Sequence, residues 1–111
     1  MATNKRLQAE QSASLYLQMR GYDINELNYK RSKYTIDIVA KKNSEIYFVA
    51  VILLGQSNQT YELMTPSQIA SIRLAAASWI EESEWLGNIH YSIIEVDSDS
   101  NAVMTFIEDL L

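Results

Sequence analysis

A run of nine uncharged residues, almost all of them apolar, gives the clearest structural signal in this sequence. The run extends from Ile46 to Leu54, and both of its alternating sets of positions are apolar. A strand of this kind is typical of the centre of a sheet whose two faces are both covered. We therefore predict a central strand here, with helices covering its faces.

The segments on either side have the composition of strands and turns. Strands are predicted at residues 24–30 and 34–41, before the central strand, and at residues 89–96 after it, with an edge strand at 102–106. Short polar turns separate the first three strands, which favours an antiparallel meander.

Two further segments carry the signals of helix ends. A helix over residues 4–20 can be capped by Thr3 or Asn4, and Gly21 follows its last turn. A second helix, over residues 65–82, begins with the capping sequence Thr-Pro-Ser-Gln. It precedes the strand at 89–96, and a crossover helix brings that strand parallel to the central one.

The element order predicts one α/β domain over residues 1–111. The order is α-β-β-β-α-β-β, with a central mixed sheet of four to five strands flanked by two helices. A chain of 111 residues is the usual size for one domain with one core.

Composition removes several kinds of site. The chain has no cysteine and one histidine, His90, which excludes disulfides and thiolate metal sites and makes a histidine zinc site unexpected. We interpret His90 as an ordinary strand residue. The first residues lack the apolar core of a signal peptide, and the longest apolar run is too short to span a bilayer. We predict a soluble, cytoplasmic protein without membrane association.

Charge is distributed unevenly along the chain. Residues 1–42 hold eight basic and four acidic residues, a net charge of +4, whereas residues 43–111 hold one basic and ten acidic residues, a net charge of −9. The predicted turns of the meander contain the cations Lys30, Arg31, Lys33, Lys41 and Lys42. We expect these to form one surface that binds nucleic acid weakly through phosphate contacts. The alternative is a pair of solvated hairpin tips that discourage edge pairing.

Asp37 is the most informative residue chemically, because it is a carboxylate among apolar neighbours in a strand. Such a group needs water, a hydrogen-bond donor or a metal. One interpretation is a hydrogen bond to a backbone amide or to Lys30. The other is a metal ligand that acts with Glu10, since two carboxylates suit magnesium. Spacings of three and four place Glu10 on one helix face with Leu7, Ser14 and Leu17.

Several short motifs, taken in order, resemble a known family. They are AEQSASLYL around Glu10, RGYDI, Asn28-Tyr29-Lys30, IDIVA around Asp37, and YFVAV. At these separations they are similar to the YraN-like family of Holliday-junction-resolvase-like proteins, within the PD-(D/E)xK nuclease superfamily. The resemblance covers Leu7 to Leu54. It implies a restriction-endonuclease-like fold and magnesium-dependent phosphodiester hydrolysis, with Glu10 and Asp37 as metal-binding acids.

The chain departs from the family's pattern at the other two site positions. Ala50 stands where the family has a Glu that binds metal, and Ile52 stands where it has a Lys that assists the attacking water. Tyr34 and Thr35 likewise replace the usual Gly and Glu. Ala50 cannot ligate a cation and Ile52 cannot orient water. The resemblance therefore predicts a nuclease scaffold with a degenerate active site. Glu10 and Asp37 are the two site residues that remain, and we expect no cofactor.

Three functions remain open from these observations. The leading hypothesis is a catalytically deficient nuclease fold that binds nucleic acid or protein. The second is an active magnesium-dependent DNA endonuclease whose missing acid comes from elsewhere, although Glu45 and Glu62 lie beyond opposite ends of the strand. The third is an acidic adaptor or inhibitor that binds a basic protein through residues 81–111, where Glu81, Glu82 and Glu84 adjoin Trp85.

The apolar C-terminal residues raise the question of self-association. A free tail is normally polar, so Ile107 and Leu110 must pack on their own core or on a second copy. We predict a homodimer whose contact is an exposed surface of Trp85, Phe106 and Leu110, since aromatic residues are enriched at interfaces.

Overall fold

A computed structural model describes residues 4–55 and 65–110. Within these ranges the chain forms two helices and five strands: α1 (Lys5–Met19), β1 (Asp23–Arg31), β2 (Tyr34–Lys42), β3 (Glu45–Leu54), α2 (Pro66–Ser83), β4 (Ile89–Asp97) and β5 (Val103–Ile107). The predicted order of elements is confirmed, with boundaries shifted by a residue or two. Glu62, considered above as a replacement acid, lies outside the described residues.

The strands form one mixed sheet in the order β1-β2-β3-β4-β5. β1, β2 and β3 pair antiparallel as the predicted meander, β3 pairs parallel with β4, and β4 pairs antiparallel with β5. The parallel pair follows from the crossover through α2, which returns the chain to the end of the sheet where β3 begins. The apolar β3 is therefore the central strand, as predicted.

Each face of the sheet is covered by one helix. On one face, Ala9, Ala13 and Leu17 of α1 pack against Val49 and Val51 of β3. On the other, Ala75, Ala76 and Trp79 of α2 pack against Ile46 and Phe48 of β3. Small alanine side chains let both helices approach the sheet closely, so the β3 alternation predicted from sequence reappears as two separate apolar cores.

The buried stripe of α1 differs from the predicted one at its first position. Leu7 is 47% exposed, and the buried residues are Ala9, Glu10, Ala13 and Leu17. Alanines at residues 9 and 13 define the face that meets the sheet, and Leu7 lies beside that face. Glu10 is only 6% exposed, so a carboxylate enters the core region.

A break in β2 shapes the candidate site. From sequence, a period of two would place Ile36 and Ile38 on one face and Val39 on the other. Instead Ile36 and Val39 pack on the α2 face and Ile38 packs on the α1 face, so that expectation is wrong. Pairing of β2 with β3 ends at Ile38 and Val49. Beyond that point the Asp37 side chain, rather than a backbone carbonyl, accepts the hydrogen bond from the Val51 amide.

The helix ends follow the predicted capping signals. Asn4, one of the two proposed caps of α1, accepts a hydrogen bond from the Leu7 amide at 3.0 Å. Gly21 has φ +91°, the left-handed region that suits glycine after a helix. Thr65 and Gln68 form a reciprocal capping box at the start of α2. The caps fix where α1 begins, and so where its first-turn residues meet the sheet.

Candidate functional site

Asp37 lies where β2 separates from β3, and one oxygen of its carboxylate makes two contacts. Its Oδ2 atom accepts from the Val51 backbone amide at 2.8 Å and from Arg6 Nη2 at 2.7 Å. The side chain is 19% exposed. The predicted hydrogen bond to a backbone amide is therefore confirmed, and the salt partner is Arg6 rather than Lys30.

Glu10, the second predicted acid, is buried one turn along α1 from Arg6. Its Oε2 atom lies 3.2 Å from Arg6 Nε, and its Oε1 atom accepts from Asn28 Nδ2 at 3.2 Å. Asn28 adopts φ 51°, a left-handed conformation that asparagine tolerates better than most residues. β1 and β2 thus contribute one polar side chain each to this place, and α1 contributes two.

Arg6 connects these groups, and we did not predict this role for it from the sequence. Its guanidinium pairs with Glu10 through Nε and with Asp37 through Nη2, and its Nη1 donates to the Val51 carbonyl at 2.5 Å. The planar guanidinium offers five fixed donors, which suits three acceptors held in different directions. The i, i+4 spacing of Arg6 and Glu10 was a signal that could have revealed the pair.

The two substituted positions flank the Val51 amide that binds Asp37. Ala50 is buried and Ile52 is partly buried. Strand alternation places both on the face that Ile46 and Phe48 share, against α2. Neither side chain carries a donor or acceptor, so the β3 contribution to the site is the backbone of Val51 alone.

This set of donors does not fit a magnesium ion. Magnesium takes oxygen ligands at about 2.0–2.1 Å in near-octahedral geometry. Here the guanidinium of Arg6 stands between the two carboxylates, and a cation there already compensates their charge. In the described ranges no group of three or more His, Cys, Asp or Glu side chains converges on a metal position. Glu45, the other acid considered, pairs with His90 at the opposite end of β3.

The predicted basic residues do not form one surface, and that prediction is wrong. Lys30, Arg31 and Lys33 lie at the turn where β2 begins, whereas Lys41 and Lys42 lie where it ends. The nine residues of β2 separate the two groups by roughly 26 Å of extended strand. Consecutive turns of a meander must lie at opposite ends of its strands.

The surroundings of the two basic groups also differ. In the strand register, Lys41 lies opposite the acid Asp23, and Lys42 lies opposite the acid Glu45. Lys30 pairs with the neutral Thr35, two residues before Asp37. The Lys30–Lys33 turn is therefore the basic group that lies at the same end of β2 as the Arg6 site.

Arg31 is already paired within the chain. Its Nε and Nη2 atoms bind the Glu82 carboxylate at 2.5 and 2.7 Å, and the Tyr29 hydroxyl donates to the same carboxylate at 2.9 Å. The hydrogen bonds from Arg31 lower the pKa of Glu82, while burial and Glu82 raise the pKa of Tyr29 to about 12. Glu82 belongs to the acidic surface predicted to bind a basic partner, and it is already bound by residues of β1 in its own chain.

The predicted dimer contact is not an exposed surface. Trp85 packs at the edge of the α2 core and donates from Nε1 to the Asn88 carbonyl at 3.1 Å. Phe106 packs against the α1 core, and Leu110 lines a small cavity beside Phe48. These residues cover their own chain, so they give no support to the interface assigned to them from sequence.

His90 is more than the ordinary strand residue that we expected. Its two ring nitrogens face the carboxylates of Glu45 and Asp109, and its ring stacks on Tyr47. Asp109 is distant in sequence, so no local pattern indicated this cluster.

Neither described helix has the length and apolarity needed to cross a membrane.

Comparison with known protein families gives a match over most of this chain. Residues 9–101 match the uncharacterised protein family UPF0102. A UPF0102 protein of Cytophaga hutchinsonii is 26% identical over 97 residues, covering 86% of each chain. One from Chlorobium phaeobacteroides is 36% identical over 76 residues, covering 67% of this chain and 60% of the relative.

Solved structures with a similar arrangement are more distant. An XisH family protein from Nostoc punctiforme PCC 73102 has a TM-score of 0.42 at 13% identity, covering 90% of this chain and 98% of the other. An fdxN element excision controlling factor protein from Anabaena variabilis has a TM-score of 0.44 at 11% identity, with the same coverage.

The match over residues 9–101 includes α1 from Ala9 onward, all of α2 and all of β1 to β4. It contains Glu10, Asn28 and Asp37 but not Arg6. It confirms the family resemblance identified from the sequence motifs. The chain therefore belongs to the uncharacterised protein family UPF0102.

Proposed function

We propose that this protein is a nuclease-fold domain that does not hydrolyse phosphodiesters and acts instead as a weak nucleic-acid-binding module. The observation that carries the first part is the position of Arg6, whose guanidinium links Glu10, Asp37 and the Val51 carbonyl. The cations of the Lys30–Lys33 turn support the second part, because Lys30 has a neutral cross-strand partner and Lys33 lies over the neutral ring of Tyr34.

A guanidinium cannot do the chemistry that a divalent ion does. It donates hydrogen bonds but has no coordination position, so it cannot coordinate a water molecule and lower its pKa as a metal ion does. It also occupies the carboxylates that would hold a metal. Ala50 and Ile52 supply neither a further ligand nor a proton donor. Loss of catalytic groups typically lowers rates by orders of magnitude, and here two are replaced.

The first experiment tests hydrolysis. Branched, single-stranded and duplex DNA are incubated with the protein in magnesium or manganese. We expect no product above that of a buffer control. Metal-dependent cleavage that is lost in Asp37→Ala would overturn the proposal and favour an active, rearranged endonuclease.

Nucleic-acid binding is proposed at the Lys30–Lys33 turn. Lys30 and Lys33 form no ion pair with a described residue, and the cross-strand partner of Lys30 is neutral. Phosphate contacts need clustered cations and no particular base sequence. The net charge of −5 opposes binding elsewhere on the surface, so affinity should be low and sensitive to salt.

A matched pair of variants tests this placement by fluorescence anisotropy at low salt. Lys30→Glu/Lys33→Glu should abolish binding, whereas Lys41→Glu/Lys42→Glu, the same charge change at the other end of β2, should leave most of it. For two phosphate contacts on duplex DNA, log K should fall with log salt at a slope of about −2. Equal loss in both variants, or no binding by the wild type, would remove the nucleic-acid assignment.

The acidic-adaptor hypothesis receives less support from the geometry. Glu82, at the centre of the proposed acidic surface, is bound by Arg31 and Tyr29, and Trp85 is partly buried in its own chain. A basic partner would have to displace these contacts before it could bind there.

A further inference from the structure

The segment after β5 folds back along β4 instead of leaving the domain. The Ser92 hydroxyl donates to the Glu108 carbonyl at 2.5 Å, and the Leu110 amide donates to the Tyr91 carbonyl at 2.6 Å. The Tyr22 hydroxyl donates to the Glu108 carboxylate. Residues 108–110, called the tail segment below, are therefore held by contacts to β4 and to the start of β1.

The apolar end of this segment closes part of the α2 core. Leu110 lines a small cavity together with Phe48, Tyr91 and two α2 residues, Ile69 and Ile72. Phe48 is almost fully buried, and Tyr91 packs at the edge of the same core. Displacement of the tail segment would expose this apolar surface to solvent.

His90 supplies the charged contact of the tail segment. Its Nδ1 atom lies 3.3 Å from Asp109 Oδ2, and its Nε2 atom contacts the Glu45 carboxylate at the start of β3. The ring stacks on Tyr47 with centroids 4.5 Å apart and planes at 16°. A neutral imidazole can donate from one nitrogen only, so both carboxylates are satisfied together only when His90 is protonated.

Charges on the neighbouring elements are consistent with a cationic His90. Glu45 and then Asp109 raise the pKa of His90, and burial opposes them. The other ionisable groups nearby are Tyr47 on β3, Tyr22 before β1, Glu108 in the tail segment and Lys42 on β2. Burial raises the pKa of both tyrosines, so they stay neutral across the range in which His90 titrates.

We propose that His90 is a proton-dependent latch for the tail segment. As the imidazolium it binds Asp109 and Glu45 at once, and so joins the tail segment to β3 and β4. When it loses its proton, one of the two carboxylates loses its donor. Glu45 makes the closer contact, so Asp109 is the carboxylate that is released. The equilibrium of the tail segment then shifts toward an open state, in which the cavity beneath Leu110 is uncovered.

The latch is tested by two NMR measurements on the same sample across a pH titration. The first follows the ring resonances of His90, and the second follows the protection factor of the Leu110 amide against hydrogen exchange. Protection should fall in step with the titration of His90. The size of the fall should be about tenfold for each unit by which Asp109 raises the His90 pKa, a shift obtained from Asp109→Asn.

Two further variants make the result decisive. His90→Gln retains a neutral donor and should show no step in Leu110 protection over the same pH range, while Asp99→Asn, at the distant β4–β5 turn, should behave as wild type. Constant Leu110 protection while His90 titrates in the wild type would overturn the proposal. So would an identical step in His90→Gln.

Discussion

Two places in this domain have the same composition, two carboxylates around one cation, and opposite consequences. Beside Val51 of β3, Arg6 joins Glu10 and Asp37. Near the start of β3, His90 joins Glu45 and Asp109. Arginine keeps its charge at every pH that a folded protein meets, whereas histidine gains and loses charge near neutrality. The first cluster is therefore permanent, and the second can be switched.

The comparison shows how two neighbouring carboxylates can be held without leaving a buried charge uncompensated. Glu10 is 6% exposed and would be costly to bury alone. A resident arginine compensates it permanently, which a reversibly bound ion does not. Arg6, on the same helix as Glu10, thus gives both acids a fixed partner.

The largest effect is expected from Arg6→Ala. Removing the guanidinium leaves Glu10 buried with Asn28 as its remaining partner and leaves Asp37 with the Val51 amide alone. Because Arg6 is itself 43% exposed, the loss should be about 2–3 kcal/mol in the free energy of unfolding, below that of a fully buried pair. Urea denaturation measures it.

A neighbouring residue provides the control. Lys5→Ala removes an exposed pair with Asp99, 3.5 Å apart, from the same helical turn and should cost less than about 1 kcal/mol. Equal losses for Arg6→Ala and Lys5→Ala would show that the Arg6 cluster is an ordinary surface network.

A smaller, pH-dependent effect is expected at His90. Its pKa is raised in the folded protein by Glu45 and Asp109, so its stabilising contribution is complete below the unfolded value of about 6.5 and is lost as pH rises through the folded value. As pH rises from the unfolded pKa of His90 to above its folded pKa, the free energy of unfolding should fall by about 1 kcal/mol more in wild type than in His90→Gln. Unfolding midpoints of both proteins across this range provide the measurement, and parallel curves would contradict the expectation.

The smallest effect should come from the exposed Arg31–Glu82 pair. The pair is bidentate, but both side chains are about half exposed, so solvent and salt screen it. Arg31→Gln should shift the urea midpoint less than Arg6→Ala or His90→Gln does. Molar salt should remove the difference in midpoint between Arg31→Gln and wild type. A shift as large as that of Arg6→Ala would mean that the Glu82 contacts with β1 support the core.

The sheet was predictable because its signals are local. The two apolar faces of β3, the capping box at Thr65 and the glycine after α1 each depend on neighbours within a few residues. The break in β2 was not predictable, because a period of two assumes an unbroken ladder. At Asp37 a side chain takes over a ladder hydrogen bond, and Ile36 and Ile38 then lie on opposite faces.

The candidate site was half predictable for a similar reason. Glu10 and Asp37 were identified as a pair, and the structure brings them to one guanidinium. Arg6 was missed because an exposed arginine in a first helical turn looks like a solvated residue. The contact of His90 with Asp109 joins positions far apart in the chain, which no spacing rule detects.

Titration of the wild-type protein with magnesium tests the central claim most directly. If Arg6 already compensates Glu10 and Asp37, millimolar magnesium should give neither calorimetric binding nor a change in melting temperature. Occupation of a real site at 100 times its Kd would add about 2.7 kcal/mol, a shift of several degrees for a domain of this size. A rise of that size that disappears in Asp37→Asn would contradict the account.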